Sequence, residues 1–175
     1  KRLSEHFFNS DNILLISHIN PDGDSIGSQL ALYYYLISNG KKVSMISPNN
    51  LQEFLRWMEG SEHINIFIRQ RERCRKLIEN AGLIVMLDFN QPDRLGEMED
   101  IVTGSGTKKI IIDHHLNPKG FADMEISDPS FSSTAELVHE LITAVNGKPF
   151  FSKPYCEAIY VGIVTDTGNF EHGTY

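Results

Sequence analysis

The strongest constraint on the fold of this chain is the alternation of short apolar runs with segments of helical periodicity. Four runs are rich in branched residues, as expected of strands buried on both faces of a sheet. They are Ile13–Ser17, Val43–Ser47, Leu83–Leu87 and Lys109–Ile112, with weaker candidates at Ile64–Ile68 and Met124–Ile126. This pattern predicts an α/β fold with a mainly parallel sheet and helices on both of its faces.

Helices are expected in the intervals between these strands. The predicted helices are Ser25–Asn39, about Gln70–Asn80, one that begins near Ser133, and about Pro154–Val164. Gly40 follows the first helix at a position typical of a C-terminal cap. Ser133 and Glu136 have the spacing of a capping box, which predicts the start of the third helix.

Polar residues with ligand chemistry follow three of the predicted strands. His18, Asp88 and the run Asp113–His115 each come directly after a strand candidate. Ligands bind beyond the carboxyl ends of the strands in open α/β sheets. We therefore expect these side chains to meet at one edge of the sheet.

The first cluster places His18, Asp22 and Asp24 within seven residues of a strand-to-helix loop. Asp22 and Asp24 are two residues apart in an extended turn, so both carboxylates can project to the same side. Gly27 permits the close approach of a helix. The alternative interpretation of this segment is a plain turn in which Asp24 is the N-cap of the helix.

The other clusters are moderate signals when each is taken alone, and the alternative for Asp113–His115 is a run of three solvated loop residues. Asp88 ends a strand, where an acid often only caps the next helix, and Asp93 is interpreted as a helix start. Asp113, His114 and His115 are costly to bury unless they are paired or bound to a cation. Adjacent histidines point in different directions, so we expect one to bind a metal while the other faces the substrate.

Asp166 is predicted to end an apolar helix, where the helix dipole disfavours a carboxylate. A bound metal ion would account for this position. Mixed His and Asp ligands suit Mn²⁺, with Mg²⁺ and Zn²⁺ as alternatives. Two such ions, about 3.5–4 Å apart, can share a bridging carboxylate and activate a water molecule.

The net charge is −7, from 16 Lys and Arg against 23 Asp and Glu, which argues against binding of long nucleic acids by a basic face. Four acids that bind two divalent ions would leave the site itself near neutral.

No apolar run is long enough for a membrane helix, and no signal-peptide pattern follows Lys1 and Arg2. Cys74 and Cys156 lack ligand-like spacing and are interpreted as reduced thiols of a cytoplasmic protein.

Four motifs in order give the chain a family resemblance. The motifs HINPDGDSIGS (18–28), LDFNQPDRLG (87–96), IIDHH (111–115) and GIVTDTGNF (162–170) resemble those of the DHH phosphoesterase family. They span nearly the whole chain. DGDSIGS and the segment Ser132–Leu141 are most similar to the nanoRNase branch, which degrades very short RNAs and dephosphorylates 3′-phosphoadenosine 5′-phosphate.

The resemblance implies two metal ions with shared ligands. One ion would be held by His18, Asp22 and Asp88. The other would be held by Asp24, Asp88, His114 and Asp166, so that Asp88 bridges the two. His115 would contact the scissile phosphate and act as a general acid, and Asp113 would orient the neighbouring histidine.

The expected substrate is a short RNA or a small nucleotide phosphate. The same metal chemistry also serves pyrophosphate, polyphosphate or cyclic dinucleotides, and a non-catalytic nucleotide-binding domain is the remaining alternative. Residues 1–175 are expected to form the catalytic domain, without the family's second domain and its glycine-rich substrate motif. The sequence leaves open whether the chain forms a homodimer.

Overall fold

Six parallel strands form one sheet in the computed structural model, which describes residues 9–171. Their bounds are Asn12–Ile16 (β1), Lys42–Ser47 (β2), Ile64–Ile66 (β3), Leu83–Leu87 (β4), Lys109–Asp113 (β5) and Met124–Ser127 (β6). The strand order is β3-β2-β1-β4-β5-β6, and every neighbouring pair is parallel. The predicted parallel sheet is confirmed, and both weaker candidates are strands.

The third strand is shorter than predicted. It ends at Ile66 rather than Ile68. The amide of Arg69 donates to the carbonyl of Ile66 (3.0 Å), so the chain turns there instead of continuing along the sheet.

Five α-helices follow β1 in the described part of the chain, and the last two of them come after β6. Their bounds are Gly23–Ser38 (α1), Arg71–Glu79 (α2), Glu99–Thr103 (α3), Thr134–Asn146 (α4) and Lys153–Asp166 (α5). Short 3₁₀ helices occupy Glu53–Leu55, Ser61–His63 and Pro92–Met98. The last of these contains Asp93 in its first turn, as predicted.

Side chains at the helix starts satisfy free backbone amides. The hydroxyl of Ser133 accepts a hydrogen bond from the Glu136 amide (3.1 Å) at the start of α4. The Glu136 carboxylate accepts from the Ser132 amide (2.8 Å) rather than from Ser133, so the predicted capping box is displaced by one residue. At the start of α5, the Ser152 hydroxyl accepts from the Tyr155 amide (3.4 Å).

No helix within residues 9–171 combines the length and the apolar character needed to span a bilayer. The prediction that no signal peptide follows Lys1 and Arg2 lies outside the described residues.

The strands separate two hydrophobic cores. Ile13 and Leu15 of β1 lie in the core that α1, α4 and α5 cover. Leu14 and Ile16 point to the opposite face, where α2, α3 and the Pro92–Met98 segment pack. Side chains of a strand alternate between faces, so a run buried on both sides has to be apolar throughout. Helices on both faces of the sheet are confirmed.

Helices α1 and α5 cross with their backbones in close approach. A Cβ atom added at Gly27 would lie 2.5 Å from the Ala158 carbonyl oxygen, and one added at Gly162 would lie 2.9 Å from Asp24 Oδ1. The absence of side chains at both glycines therefore allows this packing. The crossing brings Asp24, in the first turn of α1, towards Asp166, the last residue of α5.

The substitution Gly27→Ala is expected to lower the free energy of unfolding by about 1–3 kcal/mol, because the new methyl group meets a backbone oxygen that cannot rotate away. Urea denaturation followed by circular dichroism measures this change. Gly106→Ala is the matched control, because nothing lies within 4 Å of a Cβ there and its φ is not in the left-handed region. Equal stability of the two variants would contradict the tight crossing.

Candidate metal centre

The candidate site lies where the strand order reverses. Strands β1 and β4 are neighbours, but the chain continues from β1 towards β3 on one side and from β4 towards β6 on the other. Their diverging connections leave a crevice at the carboxyl ends of the strands. His18 follows β1 by two residues, Asp88 follows β4 directly and His114 follows β5 directly. The expected convergence at one sheet edge is therefore observed.

His18, Asp22 and Asp88 form the first group of ligand-type side chains. The Nε2 atom of His18 lies 3.6 Å from Asp22 Oδ2 and 3.5 Å from Asp88 Oδ2. Its Nδ1 atom lies 2.7 Å from the Ile19 carbonyl oxygen, which accepts the Nδ1 hydrogen. This hydrogen bond leaves Nε2 to face the two carboxylates, as in a metal-binding histidine.

The His18 ring is buried beside negative charge. Burial lowers the pKa of His18, but hydrogen bonds with Asp22 and Asp88 outweigh it and raise the pKa to about 9. The same contact with His18 holds the pKa of Asp22 below its usual value, against the effect of burial. The arrangement therefore favours a positive charge, from a proton or a metal ion, between these groups.

Asp24, His114 and Asp166 form the second group. The Nε2 atom of His114 lies 3.3 Å from Asp166 Oδ2 and 3.9 Å from Asp24 Oδ2. Its Nδ1 atom lies 3.2 Å from the Phe131 carbonyl oxygen. Nε2 is buried and makes no hydrogen bond. A buried imidazole nitrogen with no hydrogen bond, surrounded by carboxylates, fits a divalent cation.

Asp88 lies between the two groups. Its Oδ2 atom faces His18, while its Oδ1 atom lies 3.9 Å from His114 Nε2. Its backbone is in the left-handed region (φ 70°), a conformation that is costly outside glycine and that clusters at functional sites. The two oxygens of one carboxylate therefore serve both groups, as expected of a bridging ligand.

Asp24 is fully buried and lies at the N-terminus of α4. Its carboxylate accepts hydrogen bonds from the backbone amides of Thr134 (2.6 Å) and Ala135 (2.8 Å). Burial and the charge of Asp88 raise its pKa well above the usual value, while these two amides act in the opposite direction. The interpretation of Asp24 as the N-cap of α1 is wrong, because Asp22 caps that helix by accepting from the Ser25 amide (3.0 Å).

Asp166 is only partly buried. The pKa of Asp166 is raised above its usual value. Burial and the charge of Asp88 raise the pKa, and together they outweigh the charge of His114, which lowers it. The position of Asp166 at the last residue of α5 is as predicted. Because the helix dipole is unfavourable there, a cation shared with His114 would stabilise the carboxylate.

His114 and His115 differ in their surroundings. The side chain of His114 is 14% exposed and lies among carboxylates, whereas that of His115 is 53% exposed. Asp113 Oδ1 accepts a hydrogen bond from His115 Nδ1 (2.7 Å), and this bond raises the pKa of His115. Donor atoms of Asp88, His114 and His115 also lie within 4.8 Å of one another, so His115 borders the same centre.

An open cleft of about 860 Å³ adjoins the centre. Among the residues that line it are Asp88, Asn90, Arg94, His115 and Asp166. The side-chain amide of Asn90 donates to the carbonyls of His115 and Leu116 (both 3.2 Å). Asn90 therefore holds the loop that carries His115.

Two further sets of hydrogen bonds near the site were not predicted from the sequence. The Thr134 hydroxyl donates to Asp88 Oδ1 (2.8 Å), which ties α4 to the residue between the two groups. Asn49 Oδ1 accepts from the Asn20 amide (2.7 Å), and the Asn49 side chain donates back to the Asn20 side chain. The capping motif at Ser133 marked the start of α4, but nothing local indicated that this start faces residues far away along the chain.

The chain is similar in sequence and in fold to several known proteins. The chain is 31% identical over 160 residues to the bifunctional oligoribonuclease and PAP phosphatase NrnA of Thermus thermophilus, a match that covers 90% of this chain and 44% of that protein. An exopolyphosphatase-related protein from Bacteroides fragilis has a crystal structure with a TM-score of 0.94 at 44% identity, over 99% of this chain and 51% of that one. The chain thus spans about half the length of these relatives.

A more distant structure shares the fold alone. RecJ from Thermus thermophilus, crystallised in complex with Mn²⁺, matches with a TM-score of 0.60 at 18% identity, over 95% of this chain and 23% of that one.

The model of the DHH family, N-terminal domain, matches residues 12–163. The chain therefore belongs to the DHH family and contains the N-terminal domain of that family.

Proposed function

We propose that this domain hydrolyses phosphate esters of short oligoribonucleotides or of 3′-phosphoadenosine 5′-phosphate with the help of two divalent metal ions, preferably Mn²⁺. The observation that carries the proposal is the position of Asp88 between two groups of ligand-type side chains. A site for a single ion would not need the two oxygens of one buried carboxylate to face different histidines. The proposal includes the assignment of residues 1–175 to a cytoplasmic catalytic domain.

The donor set fits these ions. One ion would be held by His18, Asp22 and Asp88, and the other by Asp24, Asp88, His114 and Asp166. Imidazole and carboxylate ligands together suit Mn²⁺, and Mg²⁺ or Zn²⁺ can use the same donors. When bound, two such ions supply a nucleophile at neutral pH and offset negative charge on the phosphate.

The protein's own residues would position the substrate and the ligands. Thr134 and the amides at the start of α4 hold Asp88 and Asp24 in place. His115 lies in the cleft wall, and its Nδ1 atom is held by Asp113, so its Nε2 atom is available to contact the scissile phosphate. His115 would then assist the leaving group, with Asp113 as its orienting partner.

The preference for small nucleotides rests on the relatives and on the charge. NrnA is named as an oligoribonuclease and PAP phosphatase, and it aligns with 90% of this chain. A net charge of −7 does not favour long nucleic acids.

The likeness to an exopolyphosphatase-related protein favours polyphosphate or pyrophosphate as the second candidate substrate. Assays of all these substrates, and of cyclic dinucleotides, in the natural full-length protein decide between them.

Asp88→Asn is expected to abolish uptake of both ions and to lower Mn²⁺-dependent turnover of a short oligoribonucleotide by more than about 100-fold, because an amide is a far weaker ligand than a carboxylate. Asparagine tolerates the left-handed backbone of residue 88, so the fold should persist. Asp93→Asn is the matched control, since Asp93 is exposed and does not border the cleft. Turnover near the wild-type rate in Asp88→Asn would contradict the bridging role.

Calorimetric titration with Mn²⁺ is expected to give two ions bound per chain. This stoichiometry follows from the two ligand groups around Asp88. It also separates the proposal from the non-catalytic alternative, since a nucleotide-sensing domain has no need of a catalytic metal pair. Uptake of one ion or none would argue against two-metal hydrolysis.

Thr134→Val should weaken Mn²⁺ binding by about 10- to 100-fold, as is typical when an outer partner of a metal ligand is lost. Valine keeps the shape of threonine but removes the hydroxyl that donates to Asp88. Thr103→Val is the control, because Thr103 is at an exposed position of α3 and its hydroxyl donates to the Glu99 carbonyl. Unchanged affinity in Thr134→Val would show that this hydrogen bond does not support the centre.

A further inference from the structure

The cleft beside the candidate metal centre contains one permanent positive charge. Of the residues that line it in the described part of the chain, only Arg94 is an arginine or a lysine. Asp88 and Asp166 contribute negative charge to the same cleft. An anionic substrate would therefore find its fixed cationic contact at Arg94.

The backbone of Arg94 is anchored next to the first ligand group. Arg94 lies in the 3₁₀ helix Pro92–Met98, and its carbonyl oxygen accepts a hydrogen bond from the Ile19 amide (2.8 Å). Its Nη2 atom lies 3.2 Å from His18 Nδ1. The guanidinium group is thus placed beside His18 before any substrate binds, which limits the entropy lost on binding.

The guanidinium group has no good acceptor in this position. The Nδ1 hydrogen of His18 is donated to the Ile19 carbonyl oxygen (2.7 Å), and a guanidinium can only donate, so Arg94 and Nδ1 cannot share a hydrogen bond in that tautomer. Within residues 9–171, no carboxylate forms an ion pair with Arg94. Arg71, in contrast, pairs with Glu97 (2.5 Å).

We propose that Arg94 binds a second phosphate of the substrate, adjacent to the phosphate that is hydrolysed. This inference rests on the proposed function. Nε2 of His18 faces Asp22 and Asp88, whereas Nδ1 faces Arg94, so the imidazole ring separates the guanidinium from the ligand groups. A phosphate at those groups would be held by the centre itself, and Arg94 would reach the neighbouring one. Its planar fork of donors matches two phosphate oxygens.

With a second phosphate bound at Arg94, the protein should prefer substrates with two phosphates, such as a 5′-phosphorylated dinucleotide or a nucleoside 3′,5′-bisphosphate. It can be tested in the natural full-length protein by calorimetry with adenosine 3′,5′-bisphosphate and with adenosine 5′-monophosphate. Ca²⁺ replaces Mn²⁺ in these titrations to suppress turnover. The wild type should prefer the bisphosphate.

Arg94→Gln should weaken binding of the bisphosphate about 10- to 100-fold, since charge-assisted hydrogen bonds are lost, while binding of the monophosphate changes little. Arg94→Lys should be intermediate, because it keeps the charge without the fork. Arg75→Gln is the matched control: it removes the same charge from an exposed position on α2 that does not border the cleft.

Three results would overturn the inference. The first is a wild type without preference for the bisphosphate, and the second is a preference that survives in Arg94→Gln. The third is an equal loss of Mn²⁺ binding and of binding of both nucleotides in Arg94→Gln, which would make Arg94 a support of His18 instead. If Arg94→Gln loses the preference but the wild type hydrolyses neither nucleotides nor short RNA with Mn²⁺, the phosphate site stands and the proposed hydrolysis is wrong.

Discussion

Mutual repulsion among buried carboxylates is the constraint on which the rest of this structure depends. Asp24 and Asp88 are almost completely buried, and Asp166 lies close to both. Removing ionised carboxylates from water is unfavourable by several kcal/mol per group unless opposite charge or hydrogen bonds replace the solvent. The amides of α4 and the Thr134 hydroxyl supply part of that replacement. The histidines supply some of the rest, and a divalent cation would complete it.

The fold meets this constraint by bringing three kinds of support to one place. Parallel strands align the chain so that His18, Asp88 and His114 leave the sheet at the same edge. The crossing of α1 and α5 at Gly27 and Gly162 lets Asp24 and Asp166 approach. The N-terminus of α4 then points its free amides at the buried carboxylate of Asp24, where the helix dipole is favourable. Arg94 lies just outside this arrangement, with its charge directed to the cleft.

Much of the fold and of the candidate site could be predicted from local patterns. Strands β1, β4 and β5 were predicted within one residue at each end, because a strand buried on both faces has to be continuously apolar. Asp88 is conspicuous in the sequence because it is the polar residue that follows such a run. The end of β3 was placed two residues late, since Phe67 and Ile68 are apolar although the chain turns there. The N-cap of α1 was ambiguous because both Asp22 and Asp24 suit that position.

The sequence by itself determined the α/β class and showed which ligand-type residues follow the strands. Both depend on the pattern of apolar and polar side chains over a few neighbouring residues. Only the tertiary structure decided which groups support the site. Thr134 meets Asp88, and Asn90 meets the loop after His115, through contacts between segments that are distant in the chain. The position of the Arg94 guanidinium beside His18, without a carboxylate partner within residues 9–171, is likewise visible only once its surroundings are assembled. Such contacts depend on how separate elements pack, and no local pattern of residues encodes them.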